Sequence, residues 1–271
     1  MSAVGSIALA PIEGSAAYWD KASDGWQAGG CDRLWRCHSD AVNIAFLACR
    51  LPEGRTDRIL KTDMFDEAST AGLMPLLESR ARTVVGIDLS TAVLRAAGTR
   101  YPKMRQTAAD VRELPFNDDS FDCIVSNSTL DHFPRRDELL RSVDELVRIL
   151  RPGGRLILML DNPSNPVVGL RNALPFNWLH RIGILPYYVG ATLGGRALRR
   201  AVEARGCVVR ETAYVLHCPR VLAVPITRRA SRWGQAIQQR LLRMLMSFEC
   251  LANLPTARFT GHFVVVCAEK R

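Results

Sequence analysis

RTVVGIDLS at residues 82–90, MRQTAADVRELPFNDDSFDCIVSNSTLDHF at 104–133 and PGGRLILMLD at 152–161 decide how this chain is read. Each holds a short run of β-branched and apolar residues that ends in a polar one, and between the runs lie segments with helical spacing. Working outward, the strands are RILKT (58–62), RTVVGID (82–88), MRQTAAD (104–110), FDCIVSN (121–127) and GRLILMLD (154–161). LMPLLESR, TAVLRAAGTRYP and RDELLRSVDELVRIL separate them as helices. In the last of these, Leu139, Val143, Leu146, Val147 and Leu150 recur on one face, and Pro152-Gly153-Gly154 then turns the chain into the next strand. Strands alternating with helices predict an α/β fold with a mostly parallel sheet covered on both faces.

The polar residues that end these strands carry the chemistry. Asp88, closing the second strand, stands where doubly wound nucleotide folds place a carboxylate for the ribose hydroxyls, although an acid followed by Ser90 also suits a helix N-cap. Asp110 closes the third strand twenty-two residues later, and ELPFNDDSFD leads into the fourth. VVGIDLS, the LPF…D.SFD run and PGGRL, in this order over residues 82–161, resemble the class I S-adenosylmethionine (SAM)-dependent methyltransferases, especially the ubiquinone/menaquinone-biosynthesis type. The resemblance implies a Rossmann-like sheet with an antiparallel last strand, SAM as cofactor, Asp88 and the adjoining Leu89 at its ribose, and Asp110 with the Val111 amide at its adenine. It also implies that Asn127 and Ser128, after the fourth strand, line the methyl-donor pocket, with His132 facing the cleft. An imidazole there suits a general base near neutral pH, although a histidine that packs and caps the next helix satisfies the same sequence.

The chain departs from the family at its first motif. Members usually end the first strand in a sequence like LDxGCGTG, whose glycines admit the amino-acid end of SAM; here the chain reads LKTDMFDEASTAGL. Counting back from Asp88 puts Gly72 at the last glycine and Ala68 and Thr70 at the other two. A side chain at such a position forbids positive φ at low cost and brings a Cβ near the ligand. Asp63 and Asp66 offer acceptors for the ammonium of SAM, and Lys61 a partner for its carboxylate or for a neighbouring acid; the same residues also read as a self-satisfied surface ion cluster. Asp63, Asp66 and Glu67 have the oxygen ligands of a hard-cation site, but no EF-hand spacing or phosphate loop accompanies them, so no metal is expected.

The rest of the chain bounds the function. Its 271 residues are 48% hydrophobic and 23% charged, with a net charge of +9. Residues 1–15 lack a basic n-region and read as a disordered leader, and no apolar run approaches a bilayer span. The eight cysteines are scattered without a CxxC pair, as reduced core residues of a cytoplasmic protein are. We expect a single domain over 16–271: an N-terminal helical cover (16–56, with Ser39 or Asp40 capping a helix), a cofactor-binding core (57–161), insertions at 162–206 and 219–257, and closing strands at 208–218 and 261–269. His38 and Trp35 are candidates for a lid over the cofactor. His217-Cys218-Pro219-Arg220 lacks a second ligand pair and reads as a strand end and turn.

The insertions, rich in Leu, Phe, Trp and Tyr, point to a small or lipophilic acceptor. The [DN]PP[YFW] motif typical of SAM enzymes that methylate exocyclic amino groups of nucleic acid does not follow the fourth strand, which argues against amino-methylation of DNA bases and leaves RNA carbon or oxygen targets open. Within 228–252, Ile237, Leu241, Leu245, Phe248 and Ala252 share one helical face opposite Arg228, Arg232, Gln235, Gln239 and Arg243. That pattern fits either a helix packed on the sheet or peripheral contact with an anionic inner membrane surface. The function expected is SAM-dependent methyl transfer. Its main rival is a degenerate, non-catalytic relative that binds or assembles; a nicotinamide oxidoreductase would need a GxGxxG that the chain lacks, and an RNA-binding module would use only the basic C-terminal half. The sequence leaves the oligomeric state open.

Overall fold

The computed structural model describes residues 16–21, 33–182, 185 and 188–271. The leader expected at 1–15 lies outside the described residues. Seven strands form one sheet in the order β3-β2-β1-β4-β5-β7-β6: β1 (Thr56–Thr62), β2 (Ala81–Asp88), β3 (Arg105–Ala108), β4 (Phe121–Asn127), β5 (Leu150–Asp161), β6 (Cys207–Val215) and β7 (Phe263–Lys270). β1 to β5 pair in parallel, whereas β7 runs antiparallel between β5 and β6. The last strand is thus inserted, as its apolar run HFVVVCAE predicts.

Alternation along the strands sends neighbouring side chains to opposite faces. Ile59, Val84, Cys123 and Ile157 join one apolar cluster, and Leu60, Val85, Ile124 and Leu156 the other. On the first face pack α1 (Arg33–Ala48), α3 (Met74–Arg80), α4 (Thr91–Arg100) and α10 (Gln235–Ser247), through residues such as Phe46, Met74, Leu94 and Leu241. On the second lie α5 (Arg136–Ile149) and α8 (Gly195–Glu203), through Leu139, Val143, Leu146, Leu198 and Val202. Between β1 and α3 the chain makes only α2 (Phe65–Ser69). After β5 come α6 (Pro166–Ala173) and α7 (Phe176–Arg181), and after β6 come α9 (Arg220–Ala230), α10, a 3₁₀ segment (Phe248–Asn253) and α11 (Ala257–Thr260).

Three local expectations are corrected. Ser39 and Asp40 lie inside α1 rather than capping it; Asp40 is buried and accepts a hydrogen bond from Thr70 Oγ1 at 2.8 Å. α5 ends at Ile149 and β5 begins at once, so Pro152-Gly153-Gly154 belongs to the strand. Gly153, at φ 72°, stands beside the register shift between Phe121 and Cys123, a backbone geometry that favours glycine. The basic stretch 228–254 is not one helix. α9 ends at Ala230, α10 begins at Gln235, and Leu241 and Leu245 are buried against the body. The apolar face of that stretch is core at Leu241 and Leu245 but exposed at Ile237, by 50%, so protein covers only part of it.

Candidate active site

Parallel strands all deliver their last residues to one edge of the sheet, and the crevice opens where the strand order reverses, here between β1 and β4. Thr62 Oγ1 ties the two strand ends together, donating to Ser126 Oγ at 2.9 Å and lying 2.7 Å from Thr129 Oγ1. Above them lies a cavity of about 1120 Å³, more than a single small ligand needs. Asp63, Asp66, Asp88, Leu89, Asp110, Val111, Asn127, Ser128 and His132 all line it. Lys61 and Gly72 do not.

The end of β1 explains that division. The strand stops at Thr62, and Asp63 takes φ 64°, so the turn that approaches the cavity is Asp63-Met64-Phe65. Positive φ is thus adopted without glycine, with the Asp63 carboxylate accepting from Phe65 N at 2.8 Å. Gly72 instead lies in the turn between α2 and α3 at φ 55°, where a Cβ would overlap the Glu67 carboxylate. Aligning Gly72, Ala68 and Thr70 with the family's glycines is therefore corrected: the chain between the motif and β2 is longer than the count from Asp88 assumed. Lys61 is fully buried beneath the turn. Its ammonium donates to Asp63 O and pairs at 2.8 Å with Glu67, whose carboxylate also accepts from Leu73 N. This pair is a strut under the site and offers nothing to a ligand's carboxylate.

The acids on the cavity wall differ in what they can still bind. Asp66 is paired with Arg36 at 2.6 Å, and that guanidinium stacks over Phe65. Asp88 accepts from Met64 N at 2.9 Å and Ser90 N at 2.8 Å, fixing the β1 and β2 turns to each other; burial pushes its pKa upward against these amides. Ser90 caps α4 through Val93 N, so the capping role falls to Ser90. Asp110 holds Arg112 bidentately, and although burial pushes the other way, this contact keeps its carboxyl below the usual range. Asp63 has backbone partners only. Burial and the nearby Asp88 charge, opposed by Lys61, raise its pKa to about 7.

Asn127 Oδ1 is buried on the same wall without a hydrogen-bond partner, and so is Asn43 Oδ1 of α1. Two orphaned acceptors and an acid held near neutrality fit a cationic ligand with N–H donors, which is what the ammonium of SAM presents.

His132 ends a 3₁₀ turn (Leu130–His132) and packs edge-on to Trp19. Its Nδ1 lies 2.9 Å from Tyr188 O. A carbonyl only accepts, so Nδ1 carries the proton of the neutral ring and the basic lone pair is on Nε2. His38, by contrast, is buried against Cys218 Sγ at 3.2 Å, with its pKa lowered to about 4 by burial, and it does not line the cavity. Trp35 does.

Opposite the acidic wall stands a group that the sequence reading did not single out. Asp161, at the end of β5, pairs at 2.5 Å with Arg171 of α6, and Arg220 of α9 donates to His262 Nε2 at 3.2 Å. Burial pushes His262 down to about 3, with Asp161 opposing and Arg220 and Arg171 adding to the effect, so this imidazole is neutral. Asp161 was findable as a strand-end acid like Asp88. Arg171 and His262, ninety-one residues apart, left no sequence signal. Around them the wall is apolar, with Val167, Val168, Leu179, Val224 and Phe263.

Comparison with known proteins agrees with this architecture. Residues 68–158 match the methyltransferase domain family. The chain is 30% identical over 153 residues to the ubiquinone/menaquinone biosynthesis C-methyltransferase of Azotobacter vinelandii, covering 52% of this chain and 54% of that one. It is 36% identical over 116 residues to malonyl-[acyl-carrier protein] O-methyltransferase 1 of Coxiella burnetii, covering 40% and 38%. The chain thus spans about half or less of the length of these relatives. Among solved structures, it shares its fold with geranyl diphosphate C-methyltransferase of Streptomyces coelicolor, at a TM-score of 0.54 and 18% identity over 85% of this chain and 79% of that one.

Proposed function

We infer that this chain, a class I SAM-dependent methyltransferase by family and fold, transfers the methyl group of SAM to a small or lipophilic acceptor. The observation that carries the reading is the two-ended cavity: acids and orphaned amide oxygens gather at the β1, β2 and β4 ends, and an apolar chamber opens toward α6, α9 and β7. Asp63, Asn127 and Asn43 would hold the cationic amino-acid end, Asp88 and Leu89 the ribose, and Asp110, Val111 and Ser128 the adenine. Bound SAM supplies an electrophilic methyl on a sulfonium. The chain contributes alignment: the walls place the acceptor's nucleophilic oxygen, nitrogen or carbon behind that methyl and exclude water. Where the acceptor's nucleophile carries a proton, His132 Nε2 would be the group to take it, while SAM would supply the methyl and keep the electrons of the broken carbon–sulfur bond.

The relatives' names give quinone-pathway, malonyl-carrier and prenyl diphosphate acceptors, and their common feature is an oxygenated or unsaturated small group on a longer body. The chamber's aliphatic lining favours a lipophilic acceptor among these, and no DNA is implied. We place residues 16–271 in one domain of a cytoplasmic protein. No helix among the described residues is long and apolar enough to cross a membrane.

A second reading has a specific observation behind it. Asp63 and Phe65 occupy the turn in which the family carries glycines, and both line the cavity. A relative that kept the sheet as a scaffold would look the same there. Calorimetric titration with SAM and with S-adenosylhomocysteine separates the two. Saturable binding of both supports the enzyme, and no heat at millimolar ligand assigns the chain to the scaffold reading.

A further inference from the structure

Several of the apolar side chains that this fold leaves in water stand around the mouth of the cavity. Val167 and Leu170 of α6, Val221 of α9 and Phe259 of α11 all line the cavity, yet all are exposed, Leu170 by 64%. A side chain that does both stands on the rim. Beside them on α7 and α9, Trp178 and Leu222 are exposed by 53% and 63%. Apolar surface gathered at one opening marks an interaction site, in contrast to the single exposed leucines scattered over any protein.

The four rim helices carry Arg171, Arg181, Arg220, Arg228, Arg229 and Arg258 and no Asp, Glu or Lys, and of these Arg171 is paired with Asp161. Arg258 lies with its guanidinium over the Phe259 ring, 4.4 Å from the centroid. An arginine next to an exposed apolar side chain suits a lipid interface, where the aliphatic stem stays with the apolar layer and the head reaches the phosphates. A second copy of the chain would bring a rim of the same positive charge, and a nucleic acid would leave the aliphatic side chains in water.

We propose that the rim formed by α6, α7, α9 and α11 docks on an anionic phospholipid bilayer, so that a lipophilic acceptor enters the cavity from the membrane. The surface is separate from the Leu241 and Leu245 face of α10, which is buried. The inference rests on the lipophilic-acceptor reading for its purpose, but lipid contact is measured without methyl transfer, so the two fail separately.

The full chain would be sedimented with vesicles of phosphatidylcholine plus phosphatidylglycerol, and with vesicles of phosphatidylcholine alone. The wild type is expected in the pellet only with the anionic vesicles, and less so at high salt. Trp178→Glu with Leu222→Glu changes two exposed residues outside the cavity lining. This pair should lower vesicle partitioning at least ~tenfold at an unchanged thermal midpoint, and Arg229→Glu with Arg232→Glu should do the same. A wild type that stays in the supernatant with anionic vesicles overturns the proposal, and so does a Trp178→Glu, Leu222→Glu protein that partitions like the wild type. A wild-type dimer in size-exclusion chromatography that this variant converts to monomer would assign the rim to a second copy instead.

Discussion

Asp63 concentrates the tension of the site in one carboxyl group. Its pKa of about 7, raised by burial and by Asp88, means that the folded protein holds a proton there which the unfolded chain releases near pH 4. With more protons bound in the folded state, stability falls as pH rises from about 4 to 7, and Asp63→Asn should flatten that part of the curve in thermal melts. A ligand cation beside Asp63 reverses the preference and expels the proton. SAM affinity should therefore increase with pH between about 6 and 8, and titrations in buffers of different ionisation enthalpy should show proton release near pH 7 that is absent in Asp63→Asn. Asp88 has a different dependence, because its oxygens hold the amides of Met64 and Ser90. Asp88→Ala should weaken SAM binding and also lower stability by about 2 to 4 kcal/mol, since two backbone donors lose a charged acceptor. The position of Asp88 was legible, because a strand's last residue follows from its apolar run. Asp63's left-handed backbone was not: nothing local announces positive φ in an aspartate except the loss of glycine around it.

At the scale of elements, α2 is a five-residue helix fastened from below by Lys61 and Glu67. Removing one member of a buried ion pair leaves a charge stranded, so Glu67→Gln should destabilise the protein by about 3 to 5 kcal/mol, measured by denaturant unfolding. Gly72→Ala reaches the same strut from the other side, through its positive φ and its overlap with the Glu67 carboxylate. A loss of about 1 to 3 kcal/mol is expected, with SAM affinity of the folded fraction unchanged; a loss of affinity at constant stability would return Gly72 to the binding site. The helices of the core were legible because their apolar stripes repeat at helical spacing. The end of β1 was misread because a glycine was sought by counting, and chain length between two strands carries no information about which residue turns first. α10 shows the limit of periodicity from another side. Its apolar stripe is real, but the sequence does not say what covers it, and here Leu241 and Leu245 are buried in a helix packed on α1 and α9 while Ile237 stays exposed.

For the whole molecule, the cavity is closed by elements from both ends of the chain, from Trp19 and Trp35 to His262 and Phe263. A ligand that joins these walls stabilises all of them together. S-adenosylhomocysteine at a hundred times its dissociation constant should add about 2.7 kcal/mol, a rise of about 4 to 6 °C in the thermal midpoint for a chain of this size. The alternation of strands and helices made the sheet legible, and even the inserted β7 could be read from its apolar run. The acceptor wall was not, because Asp161, Arg171, Arg220 and His262 meet only through the sheet order. That order also bears on how the chain reaches its native state. Synthesis runs from the amino end, so β5 and β6 both leave the ribosome before β7, yet the place of β7 is between them. Until residues 263–270 emerge, both neighbours show unpaired edges, and the apolar Val209 and Leu160 beside them have no cover. In that interval the nascent chain holds two open strands waiting for one, a state prone to pairing with other chains until the eight-residue β7 inserts.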